Sequence, residues 1–342
     1  MEISDLIFNV LVLFILMLPG VILKTCKMVP EGFGKGVSNL VLYIAQPALI
    51  VSAYLSCEKS LSEIWQDVVW VLILSLIAHT LFSAVALLLF KKAPEHMRKM
   101  LRFATIFSNA AFMGIPLVQA IFYDKPEAAI YASIYNITFN LFLWTLGVHI
   151  CTRESGKDLD GDGDSDVKDE LLSAMHHTKA SSSLIKLLLH PVTLASLVGV
   201  ILLATGVNYS ALTDAGLGLV GDVILKLAYL VAPLSMLVLG LRIPDLKPKA
   251  AFTDKFAYLF LFLRHLALPL IVVGIIHLLT LCGLNIGEEV ILVTVIMASA
   301  PAATSATMFA EKYGCDAAYV SCLIVISTLL CIATMPIVIL FV

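Results

Sequence analysis

The chain has 342 residues, 60% of them apolar and 14% charged, with a net charge of −3 and a mean hydropathy of +0.98. A soluble globular domain is about half apolar and about a quarter charged. This balance excludes a nucleic-acid-binding surface, which needs clustered basic residues. It also excludes a large soluble helical protein, which needs polar helix faces.

From the N-terminus, an acidic MEISD runs into LIFNVLVLFILMLPGVILK. A signal peptide would begin with a basic stretch and end in a small-residue cleavage site. The run is therefore read as a first membrane span, with Asp5 and Asn9 near its outer edge. Apolar segments follow in order at 5–24, 37–56, 68–90, 101–122, 128–151, 187–206, 219–241, 256–280, 289–310 and 317–341. Each approaches the roughly 20 residues that cross a hydrocarbon core. Period-two alternation is absent, and backbone groups inside lipid must be paired within their own segment, so these spans are expected to be helices.

Lys and Arg set the orientation. Loops after the odd-numbered spans carry 18 of these residues; the N-terminus, the other loops and the C-terminus carry 2. Lys226 and Arg264 fall inside spans. Both termini should face outward, with the basic loops in the cytoplasm.

The chain also repeats itself. Pro47 and Pro233 are 186 residues apart, and Pro116 and Pro301 are 185 apart. YDKPEAAIYAS at 123–133 is echoed by YGCDAAYVS at 313–321. Two five-span halves, 1–151 and 183–342, then enter the membrane in opposite senses, the inverted repeat of many secondary transporters. The linker 152–182 is polar and cytoplasmic. Within it, Asp158, Asp160, Asp162, Asp164 and Asp169 match the spacing of a calcium loop, with Asp where a bidentate Glu normally stands. A solvated acidic linker explains the same residues.

Segment 101–122 carries Ser108, Asn109, Gly114 and Pro116 near its middle; segment 289–310 carries Ser299, Pro301, Thr304 and Ser305 at matching depth. Proline removes a helix donor and clashes with the preceding turn. Paired mid-membrane breaks point to a transporter's binding site, whose half-helix N-termini attract anions. Asn136 and Asn140 lie i, i+4 on one helix face. They either tie their helix to a neighbour or line a pocket, and at least one is assigned to the pocket. Arg264 sits deep in its span, facing the substrate path or reaching back to the cytoplasmic interface. His79, His265 and His277 are read as packing or hydrogen-bonding residues. No Asp or Glu lies deep in a span, which argues against a carboxylate proton relay and leaves sodium open. Seven cysteines form no metal spacing and no CxxC. Without a metal cluster or a nucleophile–base pair, an enzyme has no support.

SNAAFMGIPL at 108–117, ASAPAATSATMFAEKYGCDAAYVS at 298–321, the pair Ser327–Thr328 and the late Pro336 resemble the auxin efflux carrier family. The resemblance covers the whole chain apart from 152–182. It implies an all-α membrane protein of ten helices in two inverted five-helix repeats, with helices 4 and 9 crossing at their prolines. It places the substrate site at Asn109 and the segments around Pro116 and Pro301, and it matches Arg264 and Pro269 to an Arg–Pro pattern. Members of that family include carriers of malonate and other carboxylates. The related bile-acid sodium symporter fold holds sodium near its crossing, so Na+ there remains open, as does a homodimer. The expected function is a secondary carrier of a small organic anion in the cell membrane, working by an elevator or rocking motion. The alternatives are a sodium- or proton-coupled symporter of the same fold and a non-transporting membrane sensor.

Overall fold

The computed structural model describes residue 8 and residues 11–152, 191–245 and 254–342. Asp5, Asn9 and the five aspartates of the calcium-like stretch lie outside these residues.

Every regular element among the described residues is helical. In chain order they are α1 (Leu11–Thr25), α2 (Phe33–Leu55), α3 (Leu61–Leu89), α4 (Glu95–Ile106), α5 (Ala110–Ile121), α6 (Pro126–Thr152) and α7 (Pro191–Thr205). Then come α8 (Tyr209–Asp214), α9 (Gly218–Arg242), α10 (Lys255–Leu281), α11 (Glu288–Ser299), α12 (Ser305–Tyr313) and α13 (Ala317–Ile339). Six of them, α2, α3, α6, α9, α10 and α13, are long and apolar enough to cross a membrane. Their outer faces are greasy: Ile15, Ile201, Leu219, Tyr229, Leu278 and Leu281 are all exposed. Such exposure suits lipid rather than water.

Local chemistry sets several helix ends. Ser60 and Glu63 form a capping box at α3, the Ser60 N–H donating to Glu63 Oε2 at 2.6 Å. Asp254 Oδ1 accepts the Phe256 N–H at 2.9 Å at α10, and Asp316 Oδ1 accepts the Tyr319 N–H at 2.8 Å at α13. Prolines mark something subtler. The turns 41–45, 110–114 and 263–267 are widened to π geometry, and Pro47, Pro116 and Pro269 each stand two residues beyond. Proline cannot donate to the carbonyl four residues back and pushes it aside, so the preceding turn opens. The helix bends without ending.

The helices sort into two bundles. In the smaller, α2 packs on α7 and α9, and α9 packs on α1. There Gly20 and Gly240 bring two backbones together: a Cβ on Gly240 would lie 2.0 Å from Met17 O. The larger holds α3 to α6 and α10 to α13, with α11 packed against α6, α10 and α13. The bundles meet where α2 touches α6 and α9 touches α5.

Segments 101–122 and 289–310 are each interrupted. The first breaks at 107–109, where Phe107 is extended (φ −96, ψ 115), rather than at Gly114 and Pro116. Gly114 lies beyond the break, where a Cβ would meet Met297 Sδ at 2.7 Å, so its role is close packing of α5 on α11. The second breaks at 300–304, with Pro301 inside it. Pro301 occupies a break and Pro116 a helix, so the matched spacing does not make them structural equivalents.

Candidate functional site

The two breaks cross and hydrogen-bond to each other. Ser108 and Ala302 pair as an isolated antiparallel bridge. The Asn109 N–H donates to Pro301 O at 2.7 Å, and the Ala303 N–H donates to Phe107 O at 2.8 Å. Each broken strand thus supplies the partner that the other's helix would have supplied. The Ala302 N–H donates instead to Ser327 Oγ on α13 at 2.9 Å.

His265 buttresses this arrangement. Its Nε2 is 2.8 Å from Ser327 Oγ and its Nδ1 is 3.2 Å from Thr334 Oγ1. Thr334 donates to Leu330 O, so it accepts from Nδ1–H. Nε2 then accepts the Ser327 hydroxyl, and every group is satisfied by a neutral imidazole. His79 is likewise structural, with Nδ1 2.8 Å from Ser75 O and its ring packed on Tyr135 and Phe142.

The crossing has two chemically opposite sides. On one side α4 and α11 end, leaving carbonyls without helical donors. On the other, α5 and α12 begin, presenting N–H groups and the positive ends of their dipoles. A cavity of about 290 Å³ opens on that second side. Its wall joins α2 (Gln46), the breaks (Ser108, Asn109, Thr304), the first residue of α12 (Ser305) and α6 (Asn136, Asn140), with Phe139, Trp144 and Phe309 as aromatic faces. Ser38, Asn39 and Lys312 lie toward one end, and among the described lining residues Lys312 is the charged one.

This wall is polar and unsatisfied. Both amide atoms of Gln46, the hydroxyls of Ser108 and Ser305, Asn109 Nδ2, Asn136 Oδ1 and Asn140 Nδ2 are buried with no hydrogen-bond partner among the described residues. Each such group costs about 1–3 kcal/mol. Their concentration around one cavity makes it the candidate site. Asn109 Oδ1 makes only a long contact, with Thr304 Oγ1 at 3.5 Å.

Of the residues singled out in the sequence, Ser108, Asn109, Asn136, Asn140, Thr304 and Ser305 converge on the cavity wall. Gly114, Pro116, Ser299, Pro301 and Arg264 do not line it. Ser299 ends α11, buried on the carbonyl side. Arg264 is fully buried and does not line the cavity. Its side chain lies on the carbonyl side of the crossing. Sequence reasoning missed Gln46; the signal was there, an amide directly before the bend-forming Pro47 of α2. It also passed over Lys312. Among the described residues no three His, Cys, Asp or Glu side chains gather as a metal site. Among the described residues the cysteines, Cys57 and Cys282 included, form no disulfide.

A lipid-compatible helical protein whose two interrupted helices cross over a polar, ligand-sized cavity has the build of a multi-pass membrane transporter. The comparisons agree. The membrane transport protein family, that of the auxin efflux carriers, matches residues 5–339, and the chain belongs to it. It is 27% identical over 330 residues to a protein of Methanothermobacter thermautotrophicus described as an uncharacterized transporter, covering 96% of this chain and 95% of that one.

Proposed function

We propose that the chain is a secondary carrier of a small organic anion, a carboxylate above all. The observation that carries this reading is the set of unpartnered amides and hydroxyls around the cavity, beside two half-helix N-termini. N–H ends, amide donors and Lys312 suit negative charge. A ligand of carboxylate size is also consistent with a cavity at the low end of the small-molecule range.

On this reading the chain forms ten membrane helices in two inverted halves, 1–151 and 183–342, joined by a cytoplasmic linker at 152–182. Helices α4–α5 and α11–α12 would be the interrupted fourth and ninth. Both termini lie outside the cell membrane under the loop-charge rule. The cavity, running toward Ser38, Asn39 and Lys312, then opens to the cytoplasm. The larger bundle carries the crossing against the smaller one by an elevator or rocking motion, and the smaller offers the surface for a homodimer.

The test is uptake of labelled mono- and dicarboxylates by proteoliposomes containing the full chain. Saturable uptake of at least one, reduced by Asn109→Ala in folded protein, is expected. A folded chain that takes up neutral solutes or cations and none of the carboxylates would remove the anion from this reading.

A further inference from the structure

The carbonyl side of the crossing is the other half of the site, and Arg264 fills it. Its Nε donates to Ala300 O at 3.1 Å, Nη1 to Thr105 O at 3.2 Å, and Nη2 to Ala298 O at 3.0 Å and Ala300 O at 2.7 Å. These carbonyls belong to the ends of both α4 and α11 and to the break beyond α11. In an unbroken helix Thr105 O would accept from residue 109 and Ala298 O from residue 302, but those N–H groups are engaged with Pro301 O and Ser327 Oγ. Phe82 covers the guanidinium with its ring face, centroid 5.2 Å away. The side chain is 0% exposed.

The charge is balanced by dipoles. Each helix C-terminus carries about half a negative charge, so two converging ends offset one guanidinium. Unwound carbonyls and half-helix C-termini are the groups that hold coupling cations in carriers with interrupted helices. Here those carbonyls are already donated to from within the chain.

We propose that Arg264 is a resident cation: it occupies the position at the crossing where a coupling Na+ would bind, and transport is consequently independent of sodium. Three carbonyls accept from the guanidinium, Phe82 lies over it, and no part of the residue is exposed. The half-helices are held together by a charge that never leaves. The inference deepens the carrier reading and rests on it for its meaning in transport. The ion occupancy itself can be measured without any organic anion.

The experiment is equilibrium retention of labelled Na+ by the purified full chain, paired with melting temperatures in sodium and choline chloride at equal ionic strength. The wild-type chain is expected to retain no saturable sodium and to melt at the same temperature in both salts. Arg264→Met, which keeps the length of the stem and removes the charge, is expected to gain saturable retention and a sodium-dependent rise in melting temperature. Arg264→Lys, which restores a cation, is expected to fold and stay sodium-insensitive. Saturable sodium in the wild type, or a folded Arg264→Met chain that retains none, would overturn the proposal. If Arg264→Met does not fold at all, the Lys variant decides: folded and sodium-insensitive supports a charge requirement, and unfolded overturns it. Failure of carboxylate uptake leaves these outcomes untouched, so the two readings fail separately.

Discussion

The hydroxyl of Ser327, on α13, accepts the backbone N–H of Ala302 in the second break at 2.9 Å. Ala302 sits in the break, so this N–H has no helical acceptor, and its surroundings are dry: Ser327 and Ala302 are both fully buried. Ser327→Ala strands the N–H and deprives His265 Nε2 of its partner. The expected loss is about 1–3 kcal/mol per stranded group. In thermal unfolding of the detergent-solubilised chain, Ser327→Ala should melt lower than wild type, while Ser327→Thr, which keeps the hydroxyl, should lie between. Equal melting temperatures for Ala and wild type would show that the bond does not hold the crossing.

The contact between α1 and α9 makes a second prediction. Gly20 and Gly240 face each other's backbones; a Cβ on Gly20 would lie 2.2 Å from Leu237 O. Neither obstacle is a flexible side chain, so a methyl group forces the helices apart. Gly240→Ala is expected to destabilise by about 1–3 kcal/mol or more, as overpacking does. Gly36, in the first turn of α2, has nothing within 4 Å of a built Cβ. Gly36→Ala should be neutral or stabilising by up to about 1 kcal/mol, the helix-propensity gain. A Gly240→Ala chain as stable as Gly36→Ala would count against close packing there.

How much of this was legible beforehand depends on the range of each interaction. The long apolar helices follow from segment length alone, which is a local property. The position of the first break does not. Proline chemistry drew attention to Gly114 and Pro116, yet Pro116 only widens the turn before it, and the chain leaves the helix at Phe107 because Pro301 O and Arg264 compete for its backbone groups. Those partners come from the other half of the chain, and no local pattern announces them. Arg264 is the same case: its deep position was plain, but its carbonyl acceptors are 34, 36 and 159 residues away. Asn136 and Asn140 were legible because i, i+4 spacing fixes a shared face. Gln46 was overlooked because a lone amide beside a proline looks like part of the bend.

Cys315 offers a pH-dependent handle on the segment between α12 and α13. A hydrogen bond from the Cys151 thiol, with Lys99 nearby, pulls its thiol down to about 7 from the ordinary cysteine range. Thiolate is the reactive form, and a lowered value means that it accumulates as pH rises through about 7 rather than through the ordinary value of about 8.5. Maleimide labelling at Cys315, in a chain with Cys26 and Cys282 changed to Ser, should reach half its plateau rate near pH 7. Cys151→Ala removes the donor and should move that midpoint upward. A midpoint that stays with exposed cysteines in the wild type would show that the thiol pair does not act this way.

The cavity wall makes the sharpest demand, because stability and binding should move in opposite directions. Asn136 Oδ1 is buried and has no partner among the described residues, and Asn136 as a whole is 1% exposed. An amide held for packing alone would carry its hydrogen bonds inside the protein, and its removal would cost stability. An amide held for a ligand costs stability while the site is empty and returns it on binding. Asn136→Ala should therefore leave the melting temperature of the empty chain unchanged or slightly higher. Its affinity for a carboxylate taken up in the vesicle assay should fall by about tenfold or more, the value of a hydrogen bond to a charged partner. Thr138, on the same helix, accepts the Ser75 hydroxyl at 2.8 Å. Thr138→Ala should show the reverse pattern, a lower melting temperature with unchanged affinity. If Asn136→Ala instead destabilises the empty chain and leaves affinity intact, Asn136 ties α6 to its neighbours and the ligand lies elsewhere.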